Sequence, residues 1–227
     1  MRGVPVITID GPSGSGKGTI ARRLAGELGV HWVDSGALYR CVALKARFEG
    51  VSWADESALE ALIPKLQLNF TEDAQGNECI TINDVDVSRE IRTEEAAAGA
   101  SQVAALPKVR AALLAYQHAQ RRSPGLIADG RDMGTVVFAD APVKIFLTAS
   151  AEARALRRYK QLNDKGQTVI LADLVREIAE RDERDANRVV APLKPASDAI
   201  VVDSTNLNID QVMAKVRALA ASIVVNE

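Results

Sequence analysis

The fold of this chain is decided by the stretch Gly11-Pro12-Ser13-Gly14-Ser15-Gly16-Lys17-Gly18-Thr19. A β-branched apolar run at residues 4–9 precedes it, and a helical pattern at residues 20–28 follows it. The glycines allow backbone N–H groups to turn inward around a phosphate, while the lysine and the helix N-terminus add positive charge. This order of strand, loop, lysine and helix predicts a nucleoside triphosphate site. The alternative is an ordinary glycine-rich turn between a strand and a helix.

One position departs from the general form of such loops. The spacing Gly-x4-Gly-Lys is met, but Gly18 stands where Ser or Thr usually follows the lysine, and Thr19 comes one place later. In the general form that hydroxyl binds Mg²⁺. Because glycine has no side chain, direct Mg²⁺ ligation by position 18 is impossible, and Thr19 is left as a candidate.

Composition limits the classes of partner. The chain has 227 residues, 47% of them hydrophobic, which is enough for one α/β domain with insertions. Lys and Arg number 28 against 30 Asp and Glu, and aromatic residues are only 4%, so we expect no nucleic-acid partner. There is no apolar run of about 18 residues and no signal-peptide pattern, which predicts no membrane partner. We expect a monomer.

The few cysteines and histidines predict neither a disulfide nor a histidine-based metal site. Cys41 and Cys79 are far apart in the sequence and outside any C-x-x-C spacing, as expected for reduced thiols of a cytoplasmic protein. His31 and His118 are the only histidines, which makes a histidine-based metal site improbable.

Short apolar runs alternate with helical patterns along most of the chain. The runs that we interpret as strands cover residues 4–9, 30–33, 126–129, 143–147 and 199–203. Such alternation predicts a parallel, doubly wound sheet of five strands, as in the three-layer fold of P-loop NTPases. Between residues 66 and 87 the pattern changes to short alternating runs around a turn-rich stretch at 73–77. This part predicts an inserted antiparallel hairpin, with a third strand at 85–87.

Polar residues follow the predicted strands where those strands end. Asp129 ends the third strand and Arg131 follows it, at the edge where open α/β sheets bind their ligands. Asp129 suits a partner for the water shell of Mg²⁺, with a helix-capping role as the alternative. Arg131 has no apolar reason to stand at that edge, so it is interpreted as a phosphate ligand. Ser35 is expected to cap a helix at 37–48 whose Arg40 either leans towards the strand ends or is solvated.

Two further helices are expected between the hairpin and the third strand. Thr93 is predicted to cap a helix that runs to about residue 106, with acidic residues in its first turn. Pro107 is expected to open the next helix, which ends near Arg122. Arg110 lies off the apolar stripe of that helix, so its local pattern favours a surface arginine.

The segment after the fourth strand is rich in arginine. Ser150 is predicted to cap a helix that carries Arg154, Arg157 and Arg158. A second helix at 171–187 has an apolar stripe that continues into three charged residues, Arg181, Asp185 and Arg188, with Arg184 on its flank. Buried arginines require anions, and bound phosphates would supply them. The alternative is a solvated helix laced with i,i+4 ion pairs. Gly166 and Pro192 could bound a mobile lid.

Taken together, these motifs resemble the bacterial cytidylate kinases, which are nucleoside monophosphate kinases of the P-loop class. The residues that carry the resemblance are 9–19, 34–40, 100–104, 129–135 and 181–185. The resemblance extends over nearly the whole chain, and Gly18 matches the usual form of these kinases. It implies transfer of the γ-phosphoryl group of ATP to CMP or dCMP, with Mg²⁺ bound alongside ATP, in pyrimidine nucleotide metabolism.

The resemblance also implies roles for individual residues. Ser35, Ser101, Arg110 and Asp132 would touch or support the cytosine. Arg40 and Arg131 would hold the acceptor phosphate, and Arg181, Asp185 and Arg188 would reach its ribose and phosphates. The catalytic residues would be Lys17, Asp129, Arg131, Arg181 and Arg188. ATP would contact residues 11–19, Arg157, Arg158 and Arg184, and the segment 204–206 is a positional guess for its adenine.

The implied organisation has three parts. A core domain comprises residues 1–35, 116–156 and 190–227, a monophosphate-binding domain comprises 36–115 with the hairpin insertion at about 64–105, and a lid comprises 157–189. Acceptors at Asp132 and Ser101 and a donor at Arg110 suit cytosine, whereas uracil reverses the donor and acceptor polarity. Two alternatives remain: a kinase for another monophosphate or a small hydroxylated metabolite, and a nucleotide-dependent switch without transfer.

Overall fold

The computed structural model describes residues 4–72, 78–164 and 166–224. The chain forms two compact units. The first contains the described residues up to Asp34 and from Gln117 onward, and the second is Ser35–Tyr116. Across the described residues, no helix combines the length and apolar character needed to cross a membrane.

The strands are β1 (Val6–Asp10), β2 (His31–Asp34), β3 (Leu68–Glu72), β4 (Glu78–Ile82), β5 (Val85–Asp86), β6 (Leu126–Gly130), β7 (Val143–Thr148) and β8 (Ile200–Asp203). The α-helices are α1 (Lys17–Leu28), α2 (Ser35–Phe48), α3 (Glu56–Leu62), α4 (Glu94–Val103), α5 (Pro107–Ala119), α6 (Ala151–Asn163), α7 (Leu171–Ala186) and α8 (Ile209–Val224). Short 3₁₀ helices lie at Ile63–Lys65 and Glu90–Arg92, and one turn of π-helix lies at Met133–Val137.

The first unit is built on a five-stranded parallel sheet in the order β2-β6-β1-β7-β8. All five residues of β1 are buried, as expected of a central strand covered on both faces. Its apolar side chains pack in one core with α1 and α8, through residues such as Ile9, Leu24 and Val216. The predicted parallel sheet is therefore confirmed, and its strand ends differ from the predicted ones by one or two residues.

The second unit contains the small sheet, whose antiparallel order is β3-β4-β5. The predicted hairpin and its third strand are confirmed, while the predicted turn at 73–77 lies outside the described residues. Buried residues of β4, such as Ile80, pack against Leu44 of α2. A second apolar cluster joins α2 to α4 and α5, through residues such as Val42, Val103 and Leu113.

Two predicted helix starts of the second unit are confirmed. Thr93 caps α4, because its side chain accepts a hydrogen bond from the N–H of Ala96 at 3.2 Å, and α5 begins at Pro107. The predicted cap at Ser35 is wrong, since α2 follows β2 without a loop and Ser35 already lies in the first helical turn. Helices α3 and α8 lie outside the predicted elements.

Candidate nucleotide-binding site

The glycine-rich loop connects β1 directly to α1, as predicted. Gly16 caps α1 in the left-handed conformation, with φ of 90°, which a residue with a side chain rarely adopts. A β-carbon on Gly11 would lie 2.0 Å from the carbonyl oxygen of Leu147, at the end of β7. The loop therefore follows the carboxyl edge of the sheet so closely that glycine is required there.

Gly18 faces the end of β6. A β-carbon on Gly18 would lie 3.1 Å from Oδ2 of Asp129, so a Ser or Thr side chain there would require the carboxylate to shift slightly. Glycine at this position thus lets the Asp129 carboxylate lie close to the start of α1. Thr19, the alternative Mg²⁺ candidate, is exposed on α1.

Asp129 is an acidic group that lies against the loop at Gly18. It is buried, and its Oδ1 atom has no hydrogen-bond partner within the described part of the chain. Burial raises the pKa of Asp129 to about 7, although the charge of Lys17 opposes this rise. A buried acceptor without a partner is costly unless a donor arrives, and the waters that Mg²⁺ retains in proteins are suitable donors. Asp129 therefore fits an Mg²⁺ that arrives with the nucleotide. No cluster of three or more metal-binding side chains occurs in the described residues.

Lys17 lies in the first turn of α1 and curls back over the loop. Its Nζ donates to the carbonyl oxygen of Pro12 at 3.4 Å. Burial lowers the pKa of Lys17 to about 8, and the positive charge of Arg131 lowers it further, while Asp129 and Asp34 oppose the shift. A triphosphate would relieve this crowding of cations, because it supplies the missing negative charge.

A buried carboxylate gathers two arginines from different parts of the first unit. Asp185 on α7 is 1% exposed; its Oδ2 accepts from Nε of Arg131 at 3.1 Å, and its Oδ1 accepts from Nη2 of Arg188. Burial alone would raise the pKa of Asp185, but Arg131, Arg188 and Arg181 together hold it below its usual range. The structure thus brings Arg131 to Asp185, which is 54 residues away in the sequence, and to Arg188 beside it.

A further arginine of α7 reaches the loop itself. Arg181 Nη1 donates to Oγ of Ser13 at 3.1 Å, which joins the loop to the helix that carries Asp185. We call the set of Arg131, Arg181, Asp185 and Arg188 the arginine cluster. The cluster contains three arginines and one carboxylate, and the hydrogen bond of Arg181 to Ser13 connects it to the glycine-rich loop within the first unit.

Arg154 belongs to this site but received no role in the sequence analysis. Its side chain is 4% exposed, and its guanidinium donates to the carbonyl oxygens of Ala149 and Ser13 and to both oxygens of Asp182 on α7. All of these partners are protein groups, so Arg154 fastens α7 to the loop. The available signal was its spacing of three residues from Arg157, which places both on one helix face.

The other arginines of this segment differ from one another. Arg157 donates to the carbonyl oxygen of Ser204 and, at 3.2 Å, to its Oγ, which places it beside the predicted adenine segment. Arg158 donates to Gln161 on its own helix. Arg184 is exposed and, among the described residues, makes no hydrogen bond or ion pair with the loop.

The predicted site residues of the second unit are polar groups set into its apolar scaffold. Ser35 and Ser101 are buried, and Nε of Arg40 is a buried donor for which the described residues supply no acceptor. Arg110 is 9% exposed; it donates to the carbonyl oxygen of Ala104 at 3.2 Å and lies 5.8 Å from the ring centre of Tyr39. Buried donors of this kind are typical of a site that receives an anionic or polar ligand.

The parallel sheet, the glycine-rich loop with Lys17 and the arginine cluster define a P-loop nucleotide-binding protein of the kinase class. Comparison with known families makes this more specific. The cytidylate kinase family model matches residues 7–222, and the chain belongs to that family. It is 59% identical over 217 residues to the cytidylate kinase of Stutzerimonas stutzeri, covering 95% of each chain. It is also 59% identical over 215 residues to that of Pseudomonas entomophila, covering 94% of each.

Among solved structures, the fold is similar to that of an uncharacterised protein from Eubacterium ventriosum. The TM-score is 0.52 at 10% identity, and the likeness covers 96% of this chain and 99% of the other. At this identity the likeness bears on the fold alone.

Proposed function

We propose that this protein transfers the γ-phosphoryl group of ATP to CMP or dCMP, giving CDP or dCDP and ADP. The observation that carries the proposal is the arginine cluster, tied to the glycine-rich loop through Arg181 and Ser13. The loop accounts for one set of phosphates, and the cluster is suited to a second. A nucleotide-dependent switch needs no second phosphate site. The names of the cytidylate kinases to which the chain is similar support the same acceptor.

The chemistry follows from the charges of this site. Phosphoryl transfer between two nucleotides brings many negative oxygens together, so positioned cations dominate the catalysis. In this proposal Lys17 follows the charge of the transferred group, while Arg131, Arg181 and Arg188 hold the phosphates on both sides of it. No general base is required, because the acceptor is itself a phosphate. Asp129 would hold the water shell of Mg²⁺, which when bound neutralises charge on the phosphates.

Water must be kept away from the triphosphate during transfer, or hydrolysis competes. We assign this task to the lid, residues 157–189, which contributes Arg181, Asp185 and Arg188 to the arginine cluster. Arg154 holds α7 at the loop through Asp182 and the carbonyl oxygen of Ser13. Closure over bound nucleotides would therefore keep the arginines aligned with the phosphates.

Asp132 is the residue of the first unit that we assign to the cytosine base. It is 3% exposed and directly follows Arg131, at the carboxyl end of β6. A carboxylate there would accept from the N4 amino group of cytosine. The roles of Ser35, Arg40, Ser101 and Arg110 stay predictions from the resemblance, as do the ribose contact of Asp185, the ATP contacts of Arg158 and Arg184, the monomeric state and the cytoplasmic location.

An acceptor panel tests the proposal directly. With ATP and Mg²⁺, CMP and dCMP are expected to stimulate ADP release far more than UMP, AMP or a hydroxylated metabolite does. The reason is that a site built to pair the polar groups of one base leaves them unpaired with another. A coupled assay of ADP release gives kcat/KM for each acceptor. Release that is independent of the acceptor would contradict the proposal and favour the switch, and a different preferred acceptor would assign another kinase.

ATP affinity is expected to fall above about pH 8. Lys17 is protonated below its pKa of about 8 and loses its charge above it, and only the charged form attracts the triphosphate. Calorimetric titration with ATP and Mg²⁺ between pH 7.5 and 9.5 should show a weakening of about tenfold. Lys17→Arg is the control, because arginine stays charged throughout this range. The same fall in Lys17→Arg would show that another group causes it.

A further inference from the structure

Asp10 is a buried carboxylate that the mechanism above does not use. It is the last residue of β1, immediately before the glycine-rich loop, and it is 5% exposed. Its Oδ1 accepts from the N–H of Met133 at 2.8 Å, and its Oδ2 accepts from the N–H of Gly134 at 2.7 Å. The carboxylate is thus committed to two backbone groups of a segment more than a hundred residues away in sequence.

These two N–H groups begin the π-helical turn Met133–Val137. The first N–H groups of a helical turn have no partner within the turn and need an acceptor from elsewhere. That acceptor is usually the side chain of the residue just before the turn. Here that residue is Asp132, and its side chain makes no capping hydrogen bond. The cap comes instead from Asp10, on the neighbouring strand.

The segment that contains this turn also meets the sheet at two other points. Lys144 on β7 donates to the carbonyl oxygen of Ala139, just beyond the turn, at 2.7 Å. A β-carbon on Gly134 would lie 2.8 Å from Oγ1 of Thr8 and 3.2 Å from Cδ of Lys144. The turn therefore lies directly on β1 and β7. β1 leads into the glycine-rich loop, and β7 lies against that loop at Leu147.

We propose that Asp10 is a positioning residue, which sets the direction of Arg131 and Asp132 relative to the glycine-rich loop by capping the turn that follows them. This inference rests on the proposed function for its effect on turnover. The end of β1 would then serve both substrates. The ATP-binding loop begins directly after Asp10, and Asp10 aligns Arg131 and Asp132, which we assign to the acceptor nucleotide. Asp10 acts through the backbone of Met133 and Gly134 and touches no substrate.

Asp10→Asn is the sharpest test, because asparagine keeps the shape but replaces one accepting oxygen by a donating NH₂ group. One of the two N–H groups then faces a donor. We expect amide hydrogen exchange in residues 130–137 to accelerate about tenfold or more in the absence of substrates. In turnover, kcat/KM for the acceptor should fall about 10- to 100-fold, since small misplacements at a reacting centre have effects of this size. The Kd for ATP should change less than about threefold.

Val216→Ala is the control, since it weakens the apolar core that contains Ile9 of β1 and includes no residue of the turn. It should lower the melting temperature without changing amide hydrogen exchange in residues 130–137. It should also leave kcat/KM for the acceptor nucleotide and the Kd for ATP unchanged. The positioning role is refuted if Asp10→Asn leaves amide exchange in residues 130–137 at the level of the control. It is also refuted if Asp10→Asn weakens ATP binding by the same factor as it lowers kcat/KM for the acceptor nucleotide. Should Asp10→Asn not fold, Asp10→Glu takes its place, with the same expected pattern.

The exchange measurement separates this inference from the proposed function. If the unsubstituted protein phosphorylates no cytidine nucleotide, the proposed function fails on its own. Accelerated exchange in Asp10→Asn would still support the cap, whereas unchanged exchange would remove it whichever acceptor the enzyme uses.

Discussion

Replacing Lys17 with methionine is expected to lower kcat by about 10³-fold, at saturating ATP and acceptor. Methionine keeps an unbranched side chain, so the change removes the charge with little change in shape. The ammonium group is the loop's own cation, and charge develops on the transferred group only during the reaction. The loss should therefore appear in kcat more than in the affinity for the acceptor. Coupled ADP release measures it.

The same variant should not lose stability. Burial and Arg131 lower the pKa of Lys17, which means that the folded protein without nucleotide disfavours the charged form. Removing that charge should leave the melting temperature unchanged or raise it. A variant that loses activity while keeping its melting temperature separates catalysis from folding. A fall of kcat of less than about tenfold would contradict the role of Lys17 as the principal cation of the transferred group.

Replacing Asp132 with alanine is expected to lower kcat/KM for CMP by about 10²-fold or more and to narrow the preference for CMP over UMP. Cytosine presents an amino donor at N4, for which a carboxylate is a suitable acceptor, while uracil presents a carbonyl there. A site that pairs a polar group of the substrate can discriminate by about 10⁴ against an analogue that leaves it unpaired. Removing the Asp132 carboxylate should therefore lower kcat/KM for CMP more than kcat/KM for UMP. The readout is the ratio of kcat/KM values.

Two further variants sharpen this result. Asp132→Asn retains an accepting oxygen and adds a donor, so it should restore part of the CMP activity and improve UMP relative to Asp132→Ala. Asp210→Ala removes an exposed carboxylate of α8 and should leave kcat/KM unchanged for both CMP and UMP. Equal losses for CMP and UMP in Asp132→Ala would refute a base contact and indicate a structural role for this buried carboxylate.

Much of this site could be read from local pattern. The spacing of its glycines and lysine predicts the phosphate-binding loop. The apolar stripe of the second arginine-rich helix predicts that Arg181, Asp185 and Arg188 face the protein. In the structure Asp185 is buried on α7 and Arg181 of the same helix contacts Ser13, while Arg188 lies just beyond the end of α7 and donates to Asp185. Such predictions succeed because helical periodicity relates residues a few positions apart.

Other parts of the site depend on contacts across long sequence separations. Arg131 meets Asp185 across 54 residues, and Asp10 meets Gly134 across 124. Arg154 contacts Ser13 across 141 residues. No periodicity relates such residues. The π-helical turn Met133–Val137 escaped prediction for a related reason, since a single turn is too short to show a period.

The amino-acid sequence suffices to specify the phosphate loop, the parallel strands and the inserted hairpin, because these arise from glycine spacing, β-branched runs and turn residues acting over short range. The folded chain alone decides which charged groups meet. The strand order β2-β6-β1-β7-β8 places the ends of β1 and β6 side by side. That adjacency sets Asp129 against Gly18 and Asp10 against the turn after Arg131. Gly18, an exception to the loop pattern in the sequence, is in the structure the position where the Asp129 carboxylate fits.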